Sequence, residues 1–176
     1  MNDRAAQLPI HRLDPLDDDP ERWQAQFDAA PRPALEQSWA FGEAFAATEK
    51  VLVERCVVLR DGAPVALVQA FRRRLVRGLS LVRIVRGPVW LEESDMAEAG
   101  RVLRALRSYW RLGNGALLSL VPELPAGDAA DAAIRAAGMR RMVTGYSTIW
   151  LDLAPDIDAL RAGLDGQGDA ANDASQ

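Results

Sequence analysis

Three carboxylates stand where a general base could be placed: Glu36, Glu43 and Glu123. A positioned carboxylate can hold an amine or accept a proton from an amine nucleophile. Glu123 is the strongest candidate, because it follows an apolar run typical of a buried strand, and α/β sheets bind ligands at such strand ends. The alternative for each of the three is an ordinary solvent-exposed acid.

Arginine is concentrated in the middle of the chain, in one short stretch that contains Arg72, Arg73, Arg74, Arg77, Arg83 and Arg86. Guanidinium groups form paired hydrogen bonds with phosphate, so these residues could bind a phosphate or a diphosphate-linked sugar. As a nucleic-acid surface the stretch is weak, since few aromatic residues are interspersed and the chain has a net charge of −4. A solvated sheet edge or a covered domain interface is the favoured interpretation.

Other kinds of chemistry are disfavoured by what the sequence lacks. One histidine, His11, and one cysteine, Cys56, leave no residues for a histidine-based triad or metal site. Cys56 lies in an apolar run, which is typical of a small buried side chain. No dinucleotide-binding or P-loop glycine pattern occurs. The nearest glycine-rich string, RLGNG at 111–115, is predicted to close a helix and so could not cradle a phosphate at a helix N-terminus.

Composition places the chain among ordinary globular proteins. Its 176 residues are 49% hydrophobic and 26% charged, which suits one α/β domain and is too short for two. No run of about 18 apolar residues occurs, and the N-terminal segment has no apolar core of the secretory kind. We therefore expect a cytoplasmic protein without a membrane span.

The hydrophobic pattern predicts an α/β fold in which helices flank a mixed, mainly antiparallel sheet. Residues 1–18 have no hydrophobic period and are expected to form a disordered arm before a domain at 19–164. A disordered tail is expected at 165–176. Residues 51–86 are predicted to form an antiparallel meander, because Asp61-Gly62 is a two-residue turn between β-branched runs.

Caps and breakers predict the remaining elements. Asp19 and Ser38 are expected to cap two N-terminal helices, and Gly87-Pro88 should end the third strand of the meander, since proline cannot donate to a ladder. Arg86 is expected to point into the cleft between this half of the protein and a missing second half. The later elements are predicted as a helix at 94–112, a strand at 116–121, a helix at 128–137, a strand at 140–153 and a helix through Leu164.

Six short motifs follow one another along the chain: Gln37-Ser38-Trp39 before a helix, the hairpin Asp61-Gly62-Ala63-Pro64-Val65-Ala66, Arg86-Gly87-Pro88-Val89, Leu118-Ser119-Leu120-Val121-Pro122-Glu123, Gly138-Met139-Arg140, and Ser147-Thr148-Ile149-Trp150-Leu151-Asp152-Leu153. In this order they resemble the motifs of the Fem-type peptidoglycan-bridge aminoacyltransferases, which belong to the GNAT N-acyltransferases. The resemblance extends from about Trp23 to Leu164.

The resemblance implies a GNAT-like transferase that moves an aminoacyl or acyl group to the amine of a peptidoglycan-precursor-like acceptor. The donor it implies is aminoacyl-tRNA or acyl-CoA, without a metal and without a cofactor bound by this chain itself. tRNA enters as a partner only by this analogy. The positions that match the family's motifs suggest substrate-binding roles for Trp39, Arg86, Gly87, Pro88 and Glu123.

The sequence also departs from the family's pattern. The family's phosphate-binding lysine is replaced within Phe41-Gly42-Glu43, and the acid before its Pro-Glu pair is Val121, so neither function carries over. Where the family continues with a basic segment and a second GNAT-like half, this chain reads GQGDAANDASQ. The resemblance therefore implies a truncated transferase, inactive by itself, whose tail from Gly168 arises from a frameshift. The alternatives are a non-catalytic GNAT-like binding module and a non-functional product of a damaged gene.

Overall fold

The computed structural model describes residues 11–16, 19–142, 156–158, 160 and 161. The chain divides into two compact units, Met1–Thr144 and Gly145–Gln176, so the boundary falls inside the predicted domain 19–164. In the second unit, the backbone N–H of Leu160 donates to the carbonyl of Asp156 at 3.0 Å, as in a helical turn.

Two predicted features lie largely outside the described residues. The strand predicted at 140–153 is described only at 140–142, which are not in a strand, and the tail at 165–176 is not described. Both stay predictions.

A mixed sheet forms the centre of the first unit. The described residues contribute the strands β1 His11–Pro15, β2 Leu52–Arg60, β3 Ala63–Val76, β4 Leu79–Val85, β5 Val89–Trp90 and β6 Ala116–Val121. The order across the sheet is β1-β2-β3-β4-β6, and β5 pairs with β3. Every pair is antiparallel except β4 with β6, which are parallel. The predicted meander and the predicted fold class are therefore confirmed.

The first two helices of this unit begin at the predicted caps, Asp19 and Ser38. The helices among its described residues are α1 Pro20–Ala29, α2 Trp39–Glu49, α3 Met96–Tyr109 and α4 Asp128–Ala136. The side chain of Asp19 accepts from the Arg22 N–H at 2.9 Å, and the Ser38 hydroxyl accepts from the Phe41 N–H at 3.3 Å. Each cap satisfies an N–H group that has no partner within its helix.

Apolar side chains fill both faces of the sheet. On one face, α3 buries Val102, Leu103 and Leu106 against strand residues that include Val58 and Val82. On the other face, α1 buries a second cluster: Leu16, Trp23, Phe27, Ala30, Val57, Leu59, Leu67 and Val89. Cys56, only 2% exposed, lies in the first cluster, so the prediction of a small buried side chain is confirmed.

The expected disordered arm at 1–18 is wrong for residues 11–15. These residues form β1, which pairs antiparallel with β2 from His11↔Arg60 to Pro15↔Cys56. Leu13 and Leu16 are 9% and 4% exposed and belong to the clusters on opposite faces of the sheet. Two apolar anchors are too few to produce a period in the sequence, and the open edge of β2 supplies the hydrogen bonds that order the segment.

Among the described residues, no helix combines the length and the apolar composition needed to cross a membrane.

Candidate functional site

An arginine–glutamate pair lies at the ends of the two parallel strands. β4 and β6 run in register up to Val85↔Val121, so the residues that follow them meet at one edge of the sheet. Arg86 donates from Nε and Nη2 to the two carboxylate oxygens of Glu123, both at 3.1 Å. The side chains are 20% and 25% exposed, so the pair is partly shielded but can be reached by solvent.

A second carboxylate approaches the same guanidinium. Glu36 Oε2 lies 3.9 Å from Arg86 Nη1, is itself buried, and makes no hydrogen bond with any described residue. A buried carboxylate oxygen without a donor is costly to keep. Glu36 and Glu123 together carry one more charge than Arg86 neutralises, which favours a cationic ligand that can donate hydrogen bonds.

The turn after β4 positions this cluster. β4 ends at Val85, Arg86 has φ +48°, and the Gly87–Pro88 peptide bond is cis. The Gly87 N–H donates to the Val121 carbonyl at 3.3 Å, and the chain then pairs with β3 as β5. Trp90 Nε1 donates to the backbone carbonyl of Glu123 at 3.0 Å, which fixes the segment after β6. The predicted strand end at Gly87-Pro88 is confirmed.

Gln37 fills a gap in the sheet beside this turn. Its side-chain amide accepts from the Gln69 N–H at 2.7 Å and donates to the Gln69 carbonyl at 3.0 Å and the Val85 carbonyl at 2.9 Å. Gln69 lies in the short part of β3 between its pairing with β5, which ends at Leu67↔Val89, and its pairing with β4, which begins at Ala70↔Ile84. The fully buried amide thus takes the place of a strand partner.

Trp39 belongs to a neighbouring network, which is centred on Arg55 and shares Gln69 with the Gln37 network. The guanidinium carbon of Arg55 lies 3.6 Å from the centroid of the Trp39 ring, and Nε donates to Gln69 Oε1 at 2.7 Å. Nη2 donates to Glu43 Oε1 at 2.8 Å, so this predicted base is engaged in an ion pair. Arg55 is only 4% exposed. The network joins α2 to the sheet and is a structural unit.

The structure thus brings together four of the five predicted site residues: Arg86, Gly87, Pro88 and Glu123. Sequence reasoning missed Arg55 and Gln69, and it named Glu36 and Gln37 without relating them to Arg86. The available signal was a charged or amide side chain within an apolar strand run, as in VERCVVL and VALVQAF.

The arginine-rich stretch does not form one site. Arg72 pairs with Glu54, and Arg73 with Glu49 at 2.8 Å. Glu54 also accepts from Trp110 Nε1 at 2.6 Å, beside a cavity of about 740 Å³ near the start of β6. The Arg72–Glu54 pair is therefore held within the α3 face of the sheet and is remote along β6 from Glu123.

The N-termini of α3 and α4 do not fit the diphosphate of an acyl-CoA. The N-terminus of α3 is capped by Asp95, whose carboxylate accepts from the Glu98 N–H at 2.6 Å, and Glu92 and Glu93 precede it. The first turn of α4 carries Asp128 and Asp131. At α3 a carboxylate already binds an N–H group that an anion would use, and at α4 the carboxylates of the first turn would repel an anion. The RLGNG string follows α3 as a 3-10 turn, Leu112–Asn114, as the sequence predicted.

Comparison with known proteins adds one structural likeness. The chain is similar to the solved structure of an aminoglycoside N-acetyltransferase, AAC(6')-Iy, in complex with CoA, at 14% identity and a TM-score of 0.43, covering 85% of this chain and 99% of that one. No protein-family model matches the sequence, and no curated protein matches it.

Proposed function

We propose that this chain carries the acceptor-binding part of an N-acyltransferase of the GNAT type, and that Glu36 and Glu123 hold the amine that becomes acylated. The observation that carries the proposal is the pair of carboxylates around Arg86 at the ends of β4 and β6. The order of Fem-like motifs along the sequence adds the acceptor class, a peptidoglycan-precursor-like peptide with a free amine.

In this proposal the acceptor binds as an ammonium ion beside the carboxylate of Glu36, whose side chain is 23% exposed and whose Oε2 makes no hydrogen bond with described residues. Before transfer the amine must lose a proton, and Glu123 is proposed as the base that accepts it. The amine nitrogen then bonds to the acyl carbon as the bond to the leaving group breaks. The N-termini of α3 and α4 do not fit acyl-CoA, so CoA takes no part in these steps. The donor, with aminoacyl-tRNA the alternative, would bind outside this amine site.

The experiment compares a short peptide bearing a free lysine amine with the same peptide after acetylation of that amine, using calorimetry on the full chain. We expect the free amine to bind and the acetylated peptide to bind at least about tenfold more weakly, because a charge-assisted hydrogen bond contributes about 1.5–3 kcal/mol. Glu36→Gln and Glu123→Gln should each weaken binding by a similar factor.

Glu93→Gln is the matched control, since Glu93 is exposed and precedes α3. Glu36→Gln removes no hydrogen bond to a described residue, so its effect separates amine binding from a loss of stability. Equal binding of the two peptides, or unchanged binding by the Glu36 variant, would contradict the proposal.

A non-catalytic binding module is the second candidate. It is favoured by the acidic α3 and α4 termini, and by the engagement of both Glu123 oxygens with Arg86. Mass spectrometry of the bound peptide after addition of acetyl-CoA or aminoacyl-tRNA distinguishes the two, because only a transferase leaves the peptide acylated.

A further inference from the structure

The turn between β3 and β4 projects beyond its neighbours in the sheet. β2 pairs with β3 only as far as Leu52↔Arg72, whereas β3 continues to Val76. The loop after α3 lies against this turn, because the Ser80 N–H donates to the Gly115 carbonyl at 2.8 Å. Six exposed residues of the two segments form what we call the hairpin tip: Arg74, Leu75, Val76, Arg77, Arg111 and Leu112.

Aliphatic side chains of the hairpin tip are unusually exposed. Leu75, Val76 and Leu112 are 48%, 61% and 69% exposed, although each is large and apolar. Single exposed aliphatics are common on protein surfaces, but three on adjoining segments form a patch that favours an interaction.

The hairpin tip is positively charged. No acidic residue occurs in 71–91 or in 101–122, the segments that supply it. Two neighbouring acids, Glu49 at the end of α2 and Glu54 in β2, are paired with Arg73 and Arg72. In the described part of the chain, Arg74 and Arg77 form no ion pair, and the guanidinium of Arg111 donates to Asn114 Oδ1 at 3.3 Å. The guanidinium groups are available to an anionic partner.

We propose that the hairpin tip docks on an anionic lipid surface. Leucine and valine between arginines suit the boundary of headgroups and acyl chains, where the aliphatic groups enter the apolar layer and the guanidinium groups bind lipid phosphates. A single-stranded nucleic acid would need aromatic side chains for base stacking, and the six tip residues include none. This proposal does not depend on the amine site.

The test is co-sedimentation of the full chain with vesicles of phosphatidylcholine plus phosphatidylglycerol, and with vesicles of phosphatidylcholine alone. We expect binding to the anionic vesicles that weakens as salt is added, and little binding to the neutral ones. Arg74→Gln with Arg77→Gln should weaken binding roughly 25-fold, at about fivefold for each arginine. Leu75→Ser with Val76→Ser should weaken it about tenfold or more with the charge unchanged.

Leu35→Ser and Arg32→Gln are matched controls. Leu35 is 69% exposed and Arg32 is exposed, and both lie in the segment before α2, away from the hairpin tip. The far-ultraviolet circular dichroism spectrum of each variant is compared with that of the wild type, so that a folding defect is recognised. Failure to bind anionic vesicles, equal binding to neutral ones, or tip variants that bind like the controls would overturn the proposal. So would tip variants that lose binding to single-stranded RNA while vesicle binding is retained.

Discussion

The amide of Gln37 joins three segments that no regular strand pairing connects. It bonds to both backbone groups of Gln69 and to the carbonyl of Val85, and it packs against Gly87. A Cβ atom on Gly87 would lie 2.7 Å from Gln37 Cδ, which is closer than real carbon contacts allow. The glycine of the Arg-Gly-Pro-Val motif therefore makes room for the amide that closes the sheet beside Arg86.

Gly87→Ala should destabilise the first unit by about 1–3 kcal/mol, the usual cost of overpacking a tight interior. The measurement is the free energy of unfolding in urea. Gly113→Ala is the control, because the nearest atom to its added Cβ lies 4.0 Å away. In a Gln37→Ala background the penalty at Gly87 should largely vanish, since the obstructing amide is gone. A penalty that persists in that background would show that the amide is not its cause.

The N-terminus of α3 packs against β1 and adds a side-chain contact to the pairing of β1 with β2. Glu98, only 4% exposed, lies 2.7 Å from His11 Nε2 on β1 and 3.5 Å from Arg60 on β2. Arg101 of α3 binds its other oxygen at 2.8 Å. Burial alone would raise the pKa of Glu98, but hydrogen bonds from His11 and Arg101 outweigh it and leave the pKa below its ordinary value of 4.5.

This lowered pKa predicts how stability depends on pH. A carboxyl group with a depressed folded-state pKa contributes stability above its unfolded pKa, and that contribution is lost as the pH falls through the folded value. The melting temperature of the wild type should therefore fall below pH 4.5 and continue to fall at more acidic pH. Glu98→Gln should melt at a lower temperature near neutral pH and show a flatter acidic limb. Glu93→Gln should keep the wild-type profile, and an identical acidic limb in the Glu98 variant would exclude this role.

At the scale of the whole first unit, one sheet separates two apolar clusters. Leu106 of α3 lies in the cluster on one face and Leu67 of β3 in the cluster on the other, and both are fully buried. The strands β2 and β3 contribute to both clusters, so weakening the packing of either cluster should destabilise these shared strands. A small domain of this kind is expected to unfold as one unit.

Leu67→Ala and Leu106→Ala should each destabilise the unit by about 2–5 kcal/mol, the range for truncating a buried leucine. Amide hydrogen exchange provides the readout. Under conditions that report global unfolding, α1 and α3 should lose the same amount of protection within each variant. Leu35→Ala, at an exposed position, should leave both helices unchanged. If Leu106→Ala weakens α3 but not α1, the two faces unfold independently.

Local signals in the sequence determined most of the elements. The Asp61-Gly62 turn, the Asp19 and Ser38 caps and the apolar face of α3 each depend on residues a few positions apart, so they can be read without knowing what packs against them. The strand end at Gly87-Pro88 is equally local, because it follows from the covalent structure of proline.

Only the tertiary structure decided what these elements bring together. The parallel pairing of β4 with β6 depends on a crossover through α3, and that pairing is what places Glu123 against Arg86, 37 residues earlier. The ordering of β1 depends on the free edge of β2, and the burial of Gln37 and Arg55 depends on hydrogen bonds to distant strands. Such contacts leave no periodic trace in the sequence, because each is satisfied by one partner far along the chain.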